Sequence, residues 1–317
     1  MLRLAELANI LGESPETLSL QLSRVMPTQA DYAKPTSAVP SALVRETLKQ
    51  GNLLPPGQVV AFINLKGGTG KTTSAVTTAW RCGDYGLRCC LIDIDAQASA
   101  SFLMAKEHLE QARPFIEIWD KPDDVNSSLI QVNPQLSLLP SSLDNSLLDL
   151  QLAKPLHQKT AIRNTCDQLF NQGHDLIIID CPPSLGAGVI SAICAADILV
   201  IPTTADSFAV RGIDLTLNEA ASISTTFGLN LPDALILLTH HDRRVRMCEE
   251  VFVQLKENYG ARLVGQPIRT SSSFARAQQR GISVFDISRA KNVQGDYNFF
   301  IRTLLKLNPE NHRHKPI

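Results

Sequence analysis

Val59-Val-Ala-Phe-Ile-Asn-Leu-Lys-Gly-Gly-Thr-Gly-Lys-Thr-Thr73 passes from an apolar run into a glycine-rich turn and then into hydroxyl-bearing residues. The run Val59–Asn64 predicts a strand, and its lack of polar alternation predicts burial on both faces. Ser74 to Trp80 reads as the helix that follows. Between them, Gly67, Gly68 and Gly70 let the backbone turn tightly and aim successive N–H groups at an anion. The start of the helix adds the positive end of its dipole. Lys71 is placed to reach the β and γ phosphates of a nucleotide, and Thr72 offers a hydroxyl to Mg²⁺. Strand, glycine-rich turn, lysine, threonine and helix in this order are far more specific than glycines alone.

The ordinary pattern GxxxxGK[ST] would place glycine at position 65, where this chain has Leu65. Lys66 follows instead. A second lysine this close to the turn is better explained by a phosphate, in its own subunit or a partner's, than by solvent. The expected nucleotide-binding set is Lys66, Gly67, Gly68, Thr69, Gly70, Lys71, Thr72 and Thr73.

Downstream, short apolar runs alternate with helical segments. Strands are expected at Cys89–Asp93, Leu136–Leu139, Leu176–Asp180, Ile198–Ile201 and Ala234–Thr239. The intervening lengths suit βαβ crossovers. The predicted fold is therefore α/β: a doubly wound, mostly parallel sheet with helices on both faces.

Two of these strands end in acids. In Cys89-Cys-Leu-Ile-Asp-Ile-Asp95, alternation puts Asp93 and Asp95 on one side. Asp180 ends the run Leu176–Asp180 and precedes Cys181-Pro-Pro183. Ligands of open α/β sheets collect at the carboxyl ends of the strands. Thr72, Asp95 and Asp180 are the expected Mg²⁺ residues, and Asp95 is also expected to position water. The competing reading of an Asp after a strand is a helix cap, which Pro182 and Pro183 disfavour at Asp180.

The 317 residues are 44% hydrophobic, enough for one large domain with a small appendage. The expected division is a helical region and linker over residues 1–50 and a main domain over residues 51–317. Leu4, Leu7, Ala8 and Leu11 fall at helical spacing, Gly12 stops the run, and Ser14-Pro15 starts a second helix bearing Leu18 and Leu22. Residues 27–41, with Pro27, Pro35 and Pro40, read as a linker, and Ser41–Gln50 as a short helix. The net charge of −1 excludes a generally polyanion-binding surface, so any nucleic-acid contact is local. No apolar run approaches the roughly 18 residues that span a bilayer. Glu6 interrupts the start, which lacks a signal-peptide core. Seven cysteines without a CxxC pair read as reduced thiols. The expected location is cytoplasmic.

Taken together, Lys66-Gly-Gly-Thr-Gly-Lys-Thr-Thr73, Leu91-Ile-Asp-Ile-Asp-Ala-Gln97 and Ile178-Ile-Asp-Cys-Pro-Pro183 resemble the ParA/Soj/MinD family of deviant Walker A P-loop ATPases. Ile201-Pro-Thr-Thr-Ala-Asp-Ser-Phe-Ala-Val-Arg-Gly212 is similar to the family's next strand and loop. The similarity covers roughly residues 57–290, and with its N-terminal helices the chain is most like the partition ATPases that carry a DNA-binding appendage. The resemblance implies an ATP-hydrolysing homodimer with Lys66, Lys71 and Asp95 as catalytic residues. In it Lys66 crosses to the partner's nucleotide and Asp95 orients the attacking water. It further implies nonspecific DNA binding by the ATP dimer, release when a ParB-like partner stimulates hydrolysis, and residence over the nucleoid.

Residues 240–291 carry ten Lys and Arg against five Asp and Glu. Phosphate contact and a solvated face with ion pairs, such as Arg246 with Glu250, are both open on charge alone. The resemblance favours DNA, because Asp242-Arg-Arg244 aligns with a family loop bearing a DNA-binding arginine. The expected contacts are Arg243, Arg244 and Arg276; Arg276 lies three residues beyond Ser273, where the family has a second arginine. The family's proline near the adenine falls at Arg269. Ala8, Gly12 and Leu18 fit a helix-turn-helix, whereas Glu13 and the weakly charged Gln21, Ser23 and Arg24 fit a docking or dimerisation hairpin equally well.

Three rivals make different demands. A membrane switch of the MinD kind needs Tyr297–Lys306 as a free basic amphipathic helix, before Asn308 and Pro309 break it and a polar tail runs to Ile317. An iron–sulfur reductase needs clustered cysteines. A transcription regulator needs ATP only to gate operator binding.

Overall fold

The computed structural model describes residues 1–25 and 34–307. Residues 27–33 of the expected linker and the tail from Asn308 lie outside the described residues.

Leu2–Arg3 (β1) pairs antiparallel with Ala38–Val39 (β2). The main sheet contains Gln58–Phe62 (β3), Cys89–Asp93 (β4), Ile130–Asn133 (β5), Leu136–Leu139 (β6), Leu176–Asp180 (β7), Ile198–Thr204 (β8) and Asp233–Thr239 (β9). Across the sheet the order is β5-β6-β4-β7-β3-β8-β9, and β5 alone runs antiparallel to its neighbour. All six expected strands are present.

The helices in chain order are α1 (Leu4–Leu11), α2 (Pro15–Val25), α3 (Ser41–Gln50), α4 (Lys71–Asp84), α5 (Ser99–Ala105), α6 (Val125–Ser128) and α7 (Leu148–Gln151). They continue with α8 (Pro155–Asn171), α9 (Ala187–Ala195), α10 (Ala209–Phe227), α11 (Arg246–Tyr259), α12 (Ser272–Arg280) and α13 (Lys291–Leu304).

Alternate residues of each central strand enter opposite cores, as a two-residue repeat requires. Val60, Phe62, Leu91, Ile178 and Val200 join the core under α1–α5 and α13. Val59, Ala61, Ile92, Ile177, Ile179 and Leu199 join the core under α8–α11. This two-sided burial is why the strands read as continuous apolar runs.

The N-terminal helices share the first of these cores through Leu4, Leu7, Leu18 and Leu22. Ile10 rather than Leu11 is buried on α1. Gly12 closes α1 at φ 72, in the left-handed region, and the Ser14 hydroxyl accepts from Thr17 N to start α2. Part of the expected linker is a strand, because Val39 is fully buried where β2 meets β1. Gly86 makes the tightest approach: a Cβ there would lie 2.3 Å from Ser41 O at the start of α3.

Candidate functional site

Register brings the site together. Phe62 pairs with Asp180 between β3 and β7, and Asp93 pairs with Asp180 between β4 and β7. Three strands therefore end level, and the loops after them open onto one crevice at the carboxyl edge.

The glycine-rich turn fills that crevice. Gly68 and Gly70 have φ of 74° and 83°, and α4 begins at Lys71 without a side-chain cap. Its first N–H groups are free to meet an anion. The turn is fixed from behind: Asn64 donates to Pro202 O at 2.7 Å and accepts from Lys66 N at 2.9 Å. The Thr239 hydroxyl is shared between Thr69 O at 2.8 Å and Thr203 O at 3.0 Å. Lys71 is buried and its ammonium donates to Lys66 O at 3.1 Å. Burial lowers its pKa, while Asp180, Cys181 and Asp95 pull the other way. An open cleft of about 550 Å³ lies against Thr72 and Thr73, walled by Gln97, Ala98, Ser99 and Phe102.

The acids have separate environments. Asp180 is fully buried, and among the described residues neither carboxylate oxygen has a partner at hydrogen-bonding geometry. Burial, then the Asp93 charge, push its pKa well above the ordinary carboxylate value, opposed by the nearby Thr72 hydroxyl and by Lys71. A buried, unpartnered carboxylate beside a threonine hydroxyl fits a hydrated divalent cation, which takes one or two protein oxygens and keeps its waters. Asp93 is different. It accepts from Ser101 N at 2.8 Å, Ser101 Oγ at 2.7 Å and Asp95 N at 3.1 Å. Burial pushes it up to about 6 despite these bonds. Asp95 lies beyond the strand end and is half-buried, with its carboxylate accepting from Gln97 N at 2.9 Å. The expected same-side pair is thus replaced by one acid that braces the loop and one carried on it.

Lys66 is exposed but paired. Its ammonium lies 2.5 Å from Asp206 Oδ2, in the loop after β8, and 3.4 Å from Oγ1 of Thr204, the last residue of β8. The other Asp206 oxygen accepts from Phe208 N, at the start of α10. Burial acts to raise the Asp206 pKa, but the Lys66 and Thr204 bonds outweigh it and hold the carboxyl below its ordinary range. The sequence signal for Asp206 is an acid two residues beyond the end of β8.

A model of the AAA domain family matches residues 57–232, more than half of the chain. The chain belongs to this family, in its ParA/Soj/MinD branch. An uncharacterised Mycobacterium tuberculosis protein is 28% identical over 207 residues, which cover 65% of each chain. The cell division protein PomZ of Myxococcus xanthus is 27% identical over 77% of this chain and 76% of its own. The sporulation initiation inhibitor Soj of Bacillus subtilis is 26% identical over 71% of this chain and 89% of its own. Among solved structures, a plasmid partition protein of Borrelia burgdorferi bound to AMPPNP superposes with a TM-score of 0.65. It is 25% identical, over 79% of this chain and 99% of that one. The ATP complex of a Cyanothece McdA variant has a TM-score of 0.70 at 20% identity, over 83% and 99%; at that identity it shows the fold.

Against the family pattern, the basic side departs in detail. Arg243 is exposed without a carboxylate partner among the described residues. Arg244 is bound by Asp242 through Nε at 2.9 Å and an Nη at 2.7 Å. Arg276 is exposed and donates to Ser273 Oγ at 2.9 Å. Arg246 pairs with Glu250 at 2.7 Å, as the ion-pair reading expected of it. Arg269, where the family has proline, is bound through Nε and an Nη to the fully buried Asp296, at 2.8 and 2.6 Å.

The family body is closed by α1 and α13. Arg81, fully buried on α4, donates to Glu6 at 2.7 Å, Asp84 at 3.0 Å and Asn298 at 2.9 Å, with its guanidinium 4.3 Å from the Phe285 ring centre. Arg302 donates to Asn9 at 2.7 Å. The segment proposed as a membrane helix spends Tyr297, Phe300, Ile301 and Leu304 in the core. No described helix is long and apolar enough to cross a membrane. Six of the seven cysteines are buried and all are free.

Proposed function

We propose that this chain is an ATP- and Mg²⁺-dependent ATPase that dimerises on the triphosphate and segregates DNA. In the ATP dimer it binds DNA without sequence preference, and a ParB-like partner releases it by stimulating hydrolysis. Its place is the cytoplasm, over the nucleoid, with residues 1–50 as a helical region attached to an ATPase body of residues 51–317. The observation that carries this reading is Asp180: a buried, unpartnered carboxylate level with the end of β3, beside Lys71 and Thr72. Support comes also from relatives that include Soj and a Borrelia partition protein bound to a nucleotide analogue.

In this reading the backbone N–H groups of Gly67 to Thr73 cradle the phosphates, and Lys71 leaves the Lys66 carbonyl for them. Thr72 and Asp180 hold Mg²⁺, directly or through water, with Asp95 on the adjoining loop. The ion supplies charge neutralisation when bound. Asp95 orients the attacking water by accepting its proton in a hydrogen bond. Lys66 exchanges Asp206 for the partner's nucleotide, so turnover is slow until the assembly is complete. PomZ, a cell division protein, favours a second reading in which the same cycle positions a protein cargo.

Calorimetry with ATP and Mg²⁺ tests the core. Lys71→Ala should abolish nucleotide binding, and unchanged affinity contradicts the loop assignment. Asp95→Ala should bind ATP and remain dimeric on size exclusion, with hydrolysis lowered roughly 100-fold or more. A variant that stays monomeric with ATP removes Asp95 from that role.

A further inference from the structure

Three consecutive residues of α13 brace the glycine-rich turn and the helix that follows it. Successive side chains on a helix point about 100° apart, so Asp296, Tyr297 and Asn298 leave α13 in different directions.

Tyr297 meets the start of α4. It is buried, and its hydroxyl lies 2.9 Å from the Ser74 hydroxyl, which is buried as well. Ser74 follows Thr73, and its backbone N donates to Gly70 O at 2.9 Å, closing the first turn of α4 on its N-cap. The Tyr297 ring is held edge-on by two others. Its centre lies 5.8 Å from that of Phe274 and 6.3 Å from that of Phe300. Phe300 in turn meets Phe62, the last residue of β3. Asp296 supports the turn by a second route. It accepts from Gln266 Nε2 at 2.6 Å and Arg269 N at 3.1 Å, besides the Arg269 guanidinium. Within that segment Ile268 N donates to Leu238 O, and Thr239, the next residue of β9, holds Thr69 O. Asn298 accepts from Arg81, near the last turn of α4.

A phenylalanine would fill the same space between Phe274 and Phe300. What the phenol oxygen adds is a fixed link from α13 to the residue after Thr73. We propose that Tyr297 is a positioning residue for nucleotide binding. Through Ser74 it holds the first turn of α4 in the orientation from which Lys71, Thr72 and the backbone N–H groups meet the phosphates, while itself touching neither nucleotide nor metal. The proposal rests on the nucleotide-binding part of the reading above. A turn fixed before the ligand arrives loses little freedom on binding, so the bond contributes to affinity rather than to the chemical step.

The test uses the full chain and compares Tyr297→Phe, Ser74→Ala and the double variant. It reads Mg²⁺-ATP affinity by calorimetry, KM and kcat for hydrolysis, and the urea midpoint. Tyr297→Phe should weaken ATP binding about 5-fold, the loss of one neutral hydrogen bond, and raise KM alike with kcat unchanged. Ser74→Ala removes the same bond from the side of α4 and should give the same loss. The double variant should bind ATP no worse than either single one, since both remove one interaction. It also separates positioning from folding. With both hydroxyls gone neither is left buried and unpartnered, so the urea midpoint should return toward that of the unaltered chain while ATP affinity stays low. Affinity that recovers together with the midpoint, or that is unchanged in Tyr297→Phe, overturns the positioning role and leaves nucleotide binding intact. Equal falls in kcat and kcat/KM overturn it too, because they place the effect in the chemical step. If the unaltered chain fails to bind ATP, the nucleotide reading fails and the positioning role with it.

Discussion

Asp180 is held in the folded chain at an energetic disadvantage that a ligand can relieve. A buried charge without a partner costs on the order of 1–3 kcal/mol or more. Asp180→Asn should therefore stabilise the free protein by about 2 kcal/mol while removing the Mg²⁺ dependence of nucleotide binding. Denaturant titration checks the first effect and calorimetry the second; a destabilised variant means that Asp180 has a partner. The pH dependence has a definite sign. A carboxyl whose folded pKa is raised favours the folded state at low pH, and that contribution is lost as pH rises from the ordinary carboxylate range through the folded value. The stability gap between Asp180→Asn and the unaltered chain should widen as pH rises from about 4. Asp93, pushed up to about 6, adds a loss over the same lower window in both proteins. Lys66 supplies a second expectation at this scale. Asp206→Ala removes the carboxylate that holds its ammonium, and should lower the ATP concentration needed for half-maximal dimerisation several-fold in light scattering. A higher requirement would make Asp206 part of the dimer contact itself. The glycine-rich turn that carries Lys66, Lys71 and Thr72 was legible in sequence. The Lys66–Asp206 pair was not, because it joins side chains 140 residues apart.

Among elements, α4 is secured at both ends. Its first turn follows the glycine-rich loop, and near its last turn Arg81 is bound by Glu6 of α1 and Asn298 of α13. Glu6 is also bonded by Asn298 at 2.8 Å and by Arg3 N at 2.9 Å. Removing one partner of a buried charge leaves that charge exposed to a poor solvent. Glu6→Ala should cost about 2 kcal/mol, seen as a lower urea midpoint with an unchanged slope. An unchanged midpoint would show that Asp84 alone satisfies Arg81. Helices and strands with strong apolar periodicity were legible from the chain alone. β5 was not: Ile130-Gln-Val-Asn133 is short and half polar because it is an edge strand that owes its pairing to β6. Nor was β2, a two-residue strand inside a proline-bearing linker. The attachment of α1 and α2 was hidden for a related reason. Arg81 and Glu6 lie 75 residues apart, and nothing in the local sequence of either marks the ion pair that tertiary packing makes between them.

For the molecule as a whole, the same physics that made the sheet readable limits how two copies can meet. One margin of the sheet is β5, four residues long and irregular between Gln131 and Asn133. Along the other margin, β9 is accompanied by residues 263–270, where Val264 N donates to Ile236 O and Ile268 N to Leu238 O. A bent, distorted border and a border already occupied by the chain's own loop offer no template for strand addition. Self-association is thereby steered away from open-ended, fibre-forming stacking. In the proposed dimer, contact is left to the crevice rim, where closure of a twofold pair would depend on what fills the crevice.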